Sequence, residues 1–535
     1  MLAHIAEYLY IFLTAWLALY GFNALYLTLR YWAVRNQRTP SAPPPDEWPK
    51  VTVQLPIYNE RHVVARLLKS VSQLDYPRDK LEIQILDDST DDTRELAEAL
   101  ANRMRRSGVN MRYLHRSNRI GYKAGALAHG LSLTDSEFVA VFDADFVPAA
   151  DFLIRTIPHF RDPRIGCVQT RWGYLNPGAS SFTRALSVAM DGHYLVEKVA
   201  QNRSGYLVNF NGSAGVWRRS AIESCGGWQA DTLTEDLDLS LRAQTAGWKF
   251  LYLPDVVSPA ELPFQVEAFR RQQARWAKGS VQTMRKAMGG LWRSPLPFFT
   301  KFQASIMLSS YLVQPTMLLT AGLTAILSLS DSQLPRLLTV LSIAALGVPL
   351  MLITAQLGNG RPWRYKVLDA AQCMLIGFGI TATCTRSVLE AFAGIETPFL
   401  RTPKFASGDQ WMKSDYSLRV DPAVWAESAT MVIYLCTVAA TFSRAFWGAL
   451  PIVLLPVLGQ FYVLGYSFRQ TRHLRLTEKQ HDKLPHKPRV IPKTQRSLLR
   501  GPNNHHGNKT LESKSDEPEV EHRDVLSVEA PFERD

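Results

Sequence analysis

Two aspartates one residue apart, Asp143 and Asp145, directly follow the apolar run 138–142. A short apolar run of this kind predicts a buried β-strand. Two carboxylates at a strand end can hold one hard divalent cation, which bridges diphosphate oxygens and supports departure of the leaving group. A solvated turn would also accept this pair of residues. Their position directly after the strand favours a site for Mg²⁺ or Mn²⁺.

Two further apolar runs end on residues that can bind a ligand. Asp87 and Asp88 follow one run, and Tyr58 and Glu60 follow another. The residues from Asp88 onward also have the composition of a turn or a helix cap, which is the alternative role for the two aspartates. If the strands are parallel, these ends meet at the edge of the sheet where ligands bind.

A lysine flanked by glycines, Lys123 between Gly121 and Gly125, is a candidate phosphate-binding residue. Its ammonium group is a compact positive charge, which suits a phosphate. A solvated loop lysine is the alternative, and the flanking glycines make it the weaker one.

The triplet Thr234, Glu235 and Asp236 contains the best candidate for a general base. A carboxylate can take the proton of a hydroxyl group as its oxygen attacks an electrophilic carbon. The triplet could also start a helix, with Thr234 as the N-cap and the two acids in the first turn. The two roles are compatible, because a cap can present Asp236 to a cleft.

Gln272, Arg275 and Trp276 form a QxxRW motif on a strongly basic segment, 264–292, that has a helical pattern. Arginine can neutralise a diphosphate, and the apolar face of tryptophan can support a sugar ring. The alternative is an interfacial helix whose tryptophan and arginine only anchor it to a membrane. The glutamine favours a functional motif.

The elements that would position these residues alternate between strands and helices in a polar block, 46–265. This alternation predicts an α/β domain with a parallel, Rossmann-like sheet. The predicted strands are 51–56, 81–86 and 138–142, and the predicted helices are 62–74 and 95–108.

Long apolar runs flank this block, and a membrane-spanning helix needs ~20 mostly apolar residues. Five runs meet that requirement: 5–29, 302–328, 336–358, 424–444 and 446–468. A further run, 367–391, carries Asp369, Arg386 and Glu390 and is interpreted as an interfacial helix. If that run spans the bilayer instead, the basic segments on its two sides fall on opposite faces.

The net charge of +12 is concentrated beside the apolar runs, which is typical of positive-inside topology rather than nucleic-acid binding. The five cysteines show no CxxC spacing, so neither a disulfide framework nor a zinc site is predicted. The basic residues at the run ends are Arg30, Arg35, Arg38, Arg361, Arg364, Lys366, Arg469, Arg472 and Arg475.

Six short motifs in a fixed order resemble those of the membrane-embedded family 2 glycosyltransferases that make β-linked polysaccharides. That group includes cellulose synthases, hyaluronan synthases and plant-type mannan and glucan synthases. The resemblance covers about 46–420 and is closest to the plant-type enzymes in 73–77, 168–176 and 211–218. The six motifs are LDDS at 86–89, GYKAG at 121–125, DAD at 143–145, FNGS at 210–213, TED at 234–236 and QQARW at 272–276.

The resemblance implies a role for each candidate residue. Asp143 and Asp145 would bind the metal, and Asp236 would be the base of an inverting transfer. The donor nucleotide would contact Tyr58, Glu60, Asp87, Asp88, Lys123 and Arg275. The acceptor would contact Phe210, Asn211, Gly212, Glu235, Gln272 and Trp276.

The segment 399–404 resembles the FxVTxK gating loop of cellulose synthases, which covers the bound nucleotide. Phe399, Thr402 and Lys404 match that motif, whereas Arg401 stands in place of its valine. The alternative is a basic juxtamembrane loop without a role in the site.

The resulting hypothesis is a GT-A (Rossmann-like) α/β catalytic domain inserted between the transmembrane helices of a multi-pass protein in the inner (plasma) membrane. The predicted parts are an anchor at 1–38, a cytosolic GT-A domain at 46–263, interfacial helices at 264–300, a channel region at 301–470 with a gating-like loop at 392–423, and a disordered cytosolic tail at 471–535.

The function that this resemblance implies is metal-dependent, processive extension and export of a β-1,4-glucan or mannan from a nucleotide sugar, with UDP-glucose favoured over GDP-mannose. The implied partners are the growing polysaccharide, the lipid bilayer and periplasmic or export proteins, with no nucleic acid. Two alternatives remain: transfer of a single sugar to a lipid, and a polysaccharide export or scaffold protein without catalysis.

Overall fold

The computed structural model describes residues 2–37, 39, 42–330, 337–357, 362–399, 401–406, 410–412, 414–418, 424–443 and 450–481. Several predicted features lie wholly or partly outside these residues. They are Arg38, Arg361, parts of the gating-like loop 392–423, the start of the run 446–468, and the tail beyond His481.

A seven-stranded sheet forms the centre of the segment between the apolar helices, in the order β3-β2-β1-β4-β6-β5-β7. The strands are β1 (Val51–Ile57), β2 (Leu81–Asp87), β3 (Met111–His115), β4 (Phe138–Val141), β5 (Ile165–Tyr174), β6 (Gly215–Arg218) and β7 (Lys249–Ala260). The three predicted strands correspond to β1, β2 and β4.

The sheet is mixed, so the prediction of a parallel sheet is wrong for one strand. β6 runs antiparallel to both of its neighbours, β4 and β5, whereas the other neighbouring pairs are parallel. β6 has only four residues and follows a turn in which Gly212 and Ala214 have positive φ angles of 76° and 55°. β4 is equally short but lies in a continuous apolar run, whereas β6 begins with Gly215 and ends with Arg218 and forms no such run.

The sheet lies between two layers of helices, and the central strand β4 shows how the side chains divide. Phe138 and Ala140 face one apolar core, and Val139 and Val141 face the other. This alternation follows from the two-residue period of a strand. Burial on both faces fixes the register of the sheet and hence the positions of its carboxyl ends.

The anchor helix is α1 (Leu2–Val34), and eight helices belong to the sheet domain. The predicted helices 62–74 and 95–108 correspond to the second and third helices. The eight helices are α2 (Val64–Val71), α3 (Thr93–Arg106), α4 (Tyr122–Ser132), α5 (Phe152–Thr156), α6 (Ser181–Asp191), α7 (Lys198–Arg203), α8 (Arg219–Ser224) and α9 (Glu235–Thr245).

A single long helix, α10 (Val266–Arg293), follows the sheet domain and carries the QxxRW motif. Its buried face includes Ala277 and Val281, which pack against Cys384 and Val388 from the C-terminal region. Lys278 of the same helix forms an ion pair of 3.2 Å with Glu390. α10 therefore connects the sheet domain to the apolar helices that follow.

Among the described residues, two helical stretches are long and apolar enough to cross a membrane, His4–Val34 and Phe298–Leu329. They coincide with the first two predicted spans. Ser342–Ala355 and Ser428–Ser443 are shorter apolar helices within two more, so the five-span arrangement stays a prediction. The C-terminal helices are α11 (Phe298–Ser309), α12 (Val313–Leu329), α13 (Leu337–Leu341), α14 (Gly347–Ala355), α15 (Trp363–Gly379), α16 (Thr381–Phe392), α17 (Val424–Ser443) and α18 (Leu450–His481).

Two predicted features of this region differ from the structure. The helix expected at 367–391 is a bent pair, because α15 and α16 meet at an angle of 45°. A disordered tail was expected from 471 onward, but α18 continues to His481. The basic residues after 470, which make this stretch less apolar, are compatible with an exposed C-terminal end of a helix.

Candidate active site

A cavity of about 670 Å³ opens at the carboxyl ends of β1 and β4 and extends toward α10. Most residues of the predicted site line it, although they come from segments far apart in the chain. These residues are Tyr58, Glu60, Asp88, Lys123, Asp143, Asp145, Asn211, Gly212, Glu235, Asp236, Gln272, Arg275, Trp276, Phe399, Thr402 and Lys404.

Each aspartate of the strand-end pair forms an ion pair with a lysine. Lys123 lies 2.5 Å from Asp143 and also donates a hydrogen bond of 2.7 Å to the carbonyl oxygen of Gly212. Lys404 lies 2.6 Å from Asp145. The ammonium groups of Lys123 and Lys404 therefore lie at the position where the sequence predicts a divalent cation.

The donor atoms at this strand end fit a hard divalent cation that is shared with a ligand. No group of three His, Cys, Asp or Glu side chains within the described residues could enclose a metal. Asp143 and Asp145 supply carboxylate oxygens, which Mg²⁺ and Mn²⁺ prefer, and diphosphate oxygens would complete the coordination. The pair therefore fits a metal held jointly by protein and nucleotide.

Asp236 lies in the first turn of α9, against the turn that precedes β6. Its Oδ1 accepts a hydrogen bond of 2.8 Å from the N–H of Leu237. A Cβ added to Gly212 would lie 2.9 Å from Oδ2 of Asp236 and 3.3 Å from Nζ of Lys123. Gly212 thus contributes the space in which the acid and the lysine approach each other, and its positive φ also favours glycine.

Burial sets the protonation of both acids of the triplet. Loss of solvent raises the pKa of Asp236, and the charges of Lys123 and Arg275 oppose that shift. Burial, followed by repulsion from Asp236, raises the pKa of Glu235 to about 7. A raised pKa strengthens a carboxylate as a base near neutral pH.

The triplet starts α9, as its alternative role predicted: Thr234 is the N-cap residue and both acids lie in the first turn, but the Thr234 side chain makes no capping hydrogen bond. Its hydroxyl is instead 3.1 Å from the hydroxyl of Thr283 on α10. A Cβ at Gly279 would lie only 2.6 Å from Cγ2 of Thr234. The triplet is therefore held directly against the helix that carries Arg275 and Trp276.

Two arginines that sequence reasoning missed shape the end of the cavity near β1 and β2. The guanidinium of Arg119 lies 3.4 Å from the ring centroid of Tyr58. Arg116 binds Asp88 through two hydrogen bonds of 2.7 and 2.5 Å. Arg116 and Arg119 lie shortly before Lys123 in the sequence. This spacing of basic residues is the signal from which the two arginines could have been predicted as part of the site.

Asp87 was predicted to contact the donor, but its side chain is fully buried beneath this end of the cavity. It accepts hydrogen bonds from the hydroxyl of Tyr113 at 2.6 Å and from the N–H of Ser89 at 3.0 Å. Asp87 does not line the cavity. Its position supports the loop that carries Asp88.

Three buried hydrogen-bond donors in the cavity wall have no hydrogen-bond partner among the described residues: Nε of Arg275, one terminal nitrogen of Arg401, and the hydroxyl of Thr402. The Arg401 nitrogen is 3.3 Å from a carboxylate oxygen of Glu60, an ion pair without hydrogen-bond geometry. Buried donors without acceptors are costly, and an anionic ligand would satisfy them.

The predicted gating loop lies against the cavity. The ring of Phe399 stacks on Tyr122 at 5.8 Å and lies 4.8 Å from the guanidinium of Arg275. Phe405 is fully buried and packs near His62 and Phe264. The segment is therefore part of the site wall, and its opening and closing stay a prediction.

Phe210 is the predicted acceptor residue that the structure places elsewhere. Its ring is fully buried in the core, 5.6 Å from the ring of Trp217, and it does not line the cavity. A Cβ at Gly215 would lie 2.7 Å from this ring. The apolar side chain fills the space beneath the turn, and its neighbour Asn211 faces the cavity.

The cavity also has a polar and aromatic wall that sequence reasoning missed. Part of it comes from a π-helical segment, Gly192–Glu197, between α6 and α7. No periodic pattern or motif marks this segment, whereas Trp172 and Tyr174 fall in a segment matched by resemblance. This wall contains Trp172, Tyr174, His193, Tyr194, Glu197 and Asn209.

Known proteins resemble the sheet domain in sequence. The profile of Glycosyltransferase like family 2 matches residues 49–279. Glucomannan 4-beta-mannosyltransferase 2 of Arabidopsis thaliana is 42% identical over 259 residues, covering 48% of this chain and 48% of that protein. Glucomannan 4-beta-mannosyltransferase 1 of Cyamopsis tetragonoloba is 43% identical over 245 residues, covering 45% and 47%. The chain thus spans about half the length of the curated relatives it matches.

A solved structure shares the fold. Mannosyltransferase PcManGT from Pyrobaculum calidifontis, in complex with GDP-Man and Mn²⁺, superposes with a TM-score of 0.50 at 22% identity. The match covers 73% of this chain and all of that chain. At this identity the likeness shows the fold alone, which is a GT-A-like mixed α/β sheet.

The two sequence relatives confirm the resemblance to plant-type mannan synthases that the motifs indicate. Both are named for mannosyl transfer, so the predicted preference for UDP-glucose over GDP-mannose finds no support in them. Over residues 49–279 this chain is similar to the glycosyltransferase like family 2.

Proposed function

We propose that this protein is an inverting, metal-dependent glycosyltransferase that extends a β-1,4-linked mannan or glucomannan from a nucleotide sugar. The observation that carries the proposal is the meeting of three groups in one cavity: the acids of the strand end, the half-buried Asp236, and the motif residues of α10. Each group serves a different part of one transfer reaction.

The donor end of the cavity suits a sugar nucleotide. The ring of Tyr58 and the guanidinium of Arg119 offer faces for a base. The donors of Arg275, Arg401 and Thr402 that make no hydrogen bond within the described residues suit a diphosphate. A divalent cation held by the strand-end acids would neutralise the diphosphate as it leaves. GDP-mannose is the proposed donor, because the relatives are named for mannosyl transfer.

Asp236 is the proposed base. It takes the proton of an acceptor hydroxyl while that oxygen attacks the anomeric carbon from the face opposite the nucleotide, which inverts the configuration. The charges of Lys123 and Arg275 favour the ionised form of Asp236 and oppose the rise in its pKa that burial causes. Lys123 also stands beside Asp143, where negative charge develops on the leaving diphosphate.

The acceptor would enter between Trp276 and the helices of the C-terminal region. Trp276 is half-buried and lines the cavity together with Gln272. The same cavity reaches Tyr311 beside α11 and Ile376 of α15, both from the apolar part of the chain. This continuity supports passage of a growing polymer toward the membrane, with the sheet domain in the cytosol and the protein in the inner membrane.

Purified membranes offered GDP-mannose or UDP-glucose would test the proposal through linkage analysis of the product. We expect a β-1,4-linked polymer from GDP-mannose, its loss in chelator, its return with Mg²⁺ or Mn²⁺, and no activity in Asp145→Asn. A lipid carrying one sugar would establish the single-transfer alternative. Failure to release nucleotide from any donor would support a scaffold protein without catalysis.

A further inference from the structure

The π-helical segment Gly192–Glu197 gives the cavity a wall that none of the family motifs supplies. π-helical turns are rare and occur mostly at functional sites. The wider turn here carries Tyr194, which lines the cavity near the ring of Trp172 at 5.6 Å. The π-helical turn therefore indicates that this segment binds a ligand, and this indication does not depend on the family motifs.

The hydroxyl of Tyr194 is buried and has no hydrogen-bond partner among the residues that the structure describes. An unsatisfied buried hydroxyl costs on the order of 1–3 kcal/mol. Burial first, then neighbouring groups that include Tyr252, Tyr174 and Asp236, raise the pKa of Tyr194, so the phenol keeps its proton. The phenol of Tyr194 is therefore a hydrogen-bond donor that lacks an acceptor in the described part of the chain. It lies close enough to Asp236 for the charge of that carboxylate to affect its pKa.

A buried lysine, Lys198, follows the π-helical segment and connects Tyr194 to Asn211. Its ammonium lies 5.5 Å from the ring centroid of Tyr194 and donates hydrogen bonds to the carbonyl oxygen of Asn209, at 2.8 Å, and to the side-chain oxygen of Asn211. In its ammonium form Lys198 can only donate, so the Asn211 amide turns its oxygen toward it, although burial lowers the pKa of Lys198 to about 7.

The fixed orientation leaves the NH₂ group of Asn211 for a ligand. No described residue accepts a hydrogen bond from that group. Asn211 lines the cavity next to Gly212, where an added Cβ would lie 2.9 Å from Oδ2 of Asp236. Two donors without protein partners, the phenol of Tyr194 and the amide of Asn211, thus stand in one wall near the base. Hydroxyl oxygens of a carbohydrate are acceptors of the kind that both donors require.

We propose that Tyr194 and Asn211 bind hydroxyl groups of the sugar ring at the acceptor end of the glycan, and that Lys198 is a positioning residue that fixes the Asn211 amide. The inference rests on the proposed function, since it assigns an acceptor subsite to the same cavity. The ligand class is a β-1,4-linked hexose oligosaccharide. The nucleotide binds at the opposite end and does not contact this pair.

The first test compares Tyr194→Phe with Tyr252→Phe in the full-length protein. Tyr252 is an equivalent control, because it is buried, lies 5.6 Å from the same ammonium and donates a hydrogen bond of 2.9 Å to the carbonyl oxygen of Tyr194, yet does not line the cavity. Calorimetry would measure binding of β-1,4-mannohexaose and of GDP in each variant, alongside the thermal unfolding midpoint.

Tyr194→Phe should weaken mannohexaose binding about tenfold, the usual effect of one lost hydrogen bond, and leave the GDP affinity unchanged. The unfolding midpoint should rise, because the variant removes a buried hydroxyl that has no partner among the described residues. Tyr252→Phe should lower the midpoint and leave mannohexaose binding unchanged. Equal mannohexaose binding by wild type and Tyr194→Phe, or no binding by wild type, would overturn the inference. Sugar transfer from GDP-mannose by wild type would uphold the proposed function in either case.

The second test is a double-mutant cycle of Lys198→Met and Asn211→Ala. Replacement of a buried charge by methionine keeps the volume and is often tolerated. If Lys198 acts through Asn211, Lys198→Met should weaken mannohexaose binding several-fold in the wild-type background and not at all in Asn211→Ala. Equal effects of Lys198→Met in both backgrounds would show that the lysine has only a structural role.

Discussion

The ammonium of Lys404 lies 2.6 Å from the carboxylate of Asp145, so a loop that follows the C-terminal bent helix pair contacts the second strand-end acid of the sheet domain. Lys404 also donates a hydrogen bond of 3.0 Å to the carbonyl oxygen of Glu261. The lysine therefore occupies a position where a cation would otherwise interact with Asp145, and loop position and cation binding are coupled.

Lys404→Met should therefore increase the affinity for Mn²⁺ measured by electron paramagnetic resonance in the absence of nucleotide. The expected gain is at least about fivefold, because the ion pair is largely buried and its charges are weakly screened by solvent. The exposed Lys69 on α2 provides a matched control, and Lys69→Met should leave the affinity unchanged. An unchanged affinity in Lys404→Met would show that the ammonium does not compete with the metal.

Asp236→Asn should lower turnover by a factor on the order of 10²–10⁴ and keep nucleotide binding, because general base catalysis acts on the acceptor proton alone. Initial rates and GDP titration would separate the two effects. Asp231→Asn, at an exposed acid paired with Lys286, is the control and should leave both values unchanged. If GDP affinity collapses while turnover per bound donor persists, Asp236 is a donor ligand.

Trp276→Ala should shorten the polymer or abolish it while nucleotide binding persists. Removal of the ring face should weaken the hold on the terminal sugar by about 1 kcal/mol, if stacking resembles aromatic pairing. Trp292 lies near the other end of the same helix and is 42% exposed, so Trp292→Ala is the matched control. Size-exclusion chromatography of the products measures chain length, and unchanged length in Trp276→Ala would remove the ring from the acceptor site.

Residues with strong local signals were predictable, and residues defined by long-range packing were not. The apolar runs predicted β1, β2 and β4, and the acids after them, with the exception of Asp87, reach the cavity because parallel strands share one edge. Phe210 was misplaced because a motif identifies a turn without showing which of its side chains face inward. Tyr194 was missed because its importance depends on an absent hydrogen-bond partner, which only three-dimensional neighbours reveal.

Two contacts with the sheet domain, one from the first helix of the bent pair and one from the segment beyond the pair, bear on the membrane topology. Asp369 of α15 forms an ion pair of 3.1 Å with Arg184 of α6, and Ser414, beyond α16, lies 2.9 Å from His62 of the sheet domain. The first helix of the pair and the segment beyond the pair therefore both contact the sheet domain, as the interfacial interpretation requires. By length and composition the bent pair also meets the requirement of a single span, so its topology stays a prediction. A cysteine at Ser414 should resist a membrane-impermeant thiol reagent applied from outside and react after permeabilisation. Labelling of intact cells would contradict this arrangement.

Glu60 should make the folded state less stable as the pH rises. Burial, opposed by the nearby Arg401 and Lys404 and reinforced by Asp145 and Glu261, raises the pKa of Glu60 to about 8. Between its unfolded value of about 4.5 and this folded value, the native state holds a proton that the unfolded state has lost. The stabilising effect of that proton is complete below the window and disappears as the pH rises through it.

Glu60→Gln keeps a neutral side chain of the same shape at every pH, so its thermal unfolding midpoint should decline less than that of wild type between pH 5 and pH 8, the span set by the raised pKa of Glu60. Unfolding curves collected across this range measure the difference in slope. Glu98→Gln, at an exposed position of α3, should follow the wild-type curve. Parallel curves for wild type and Glu60→Gln would mean that Glu60 is already ionised in the folded protein, with Arg401 as its dominant partner.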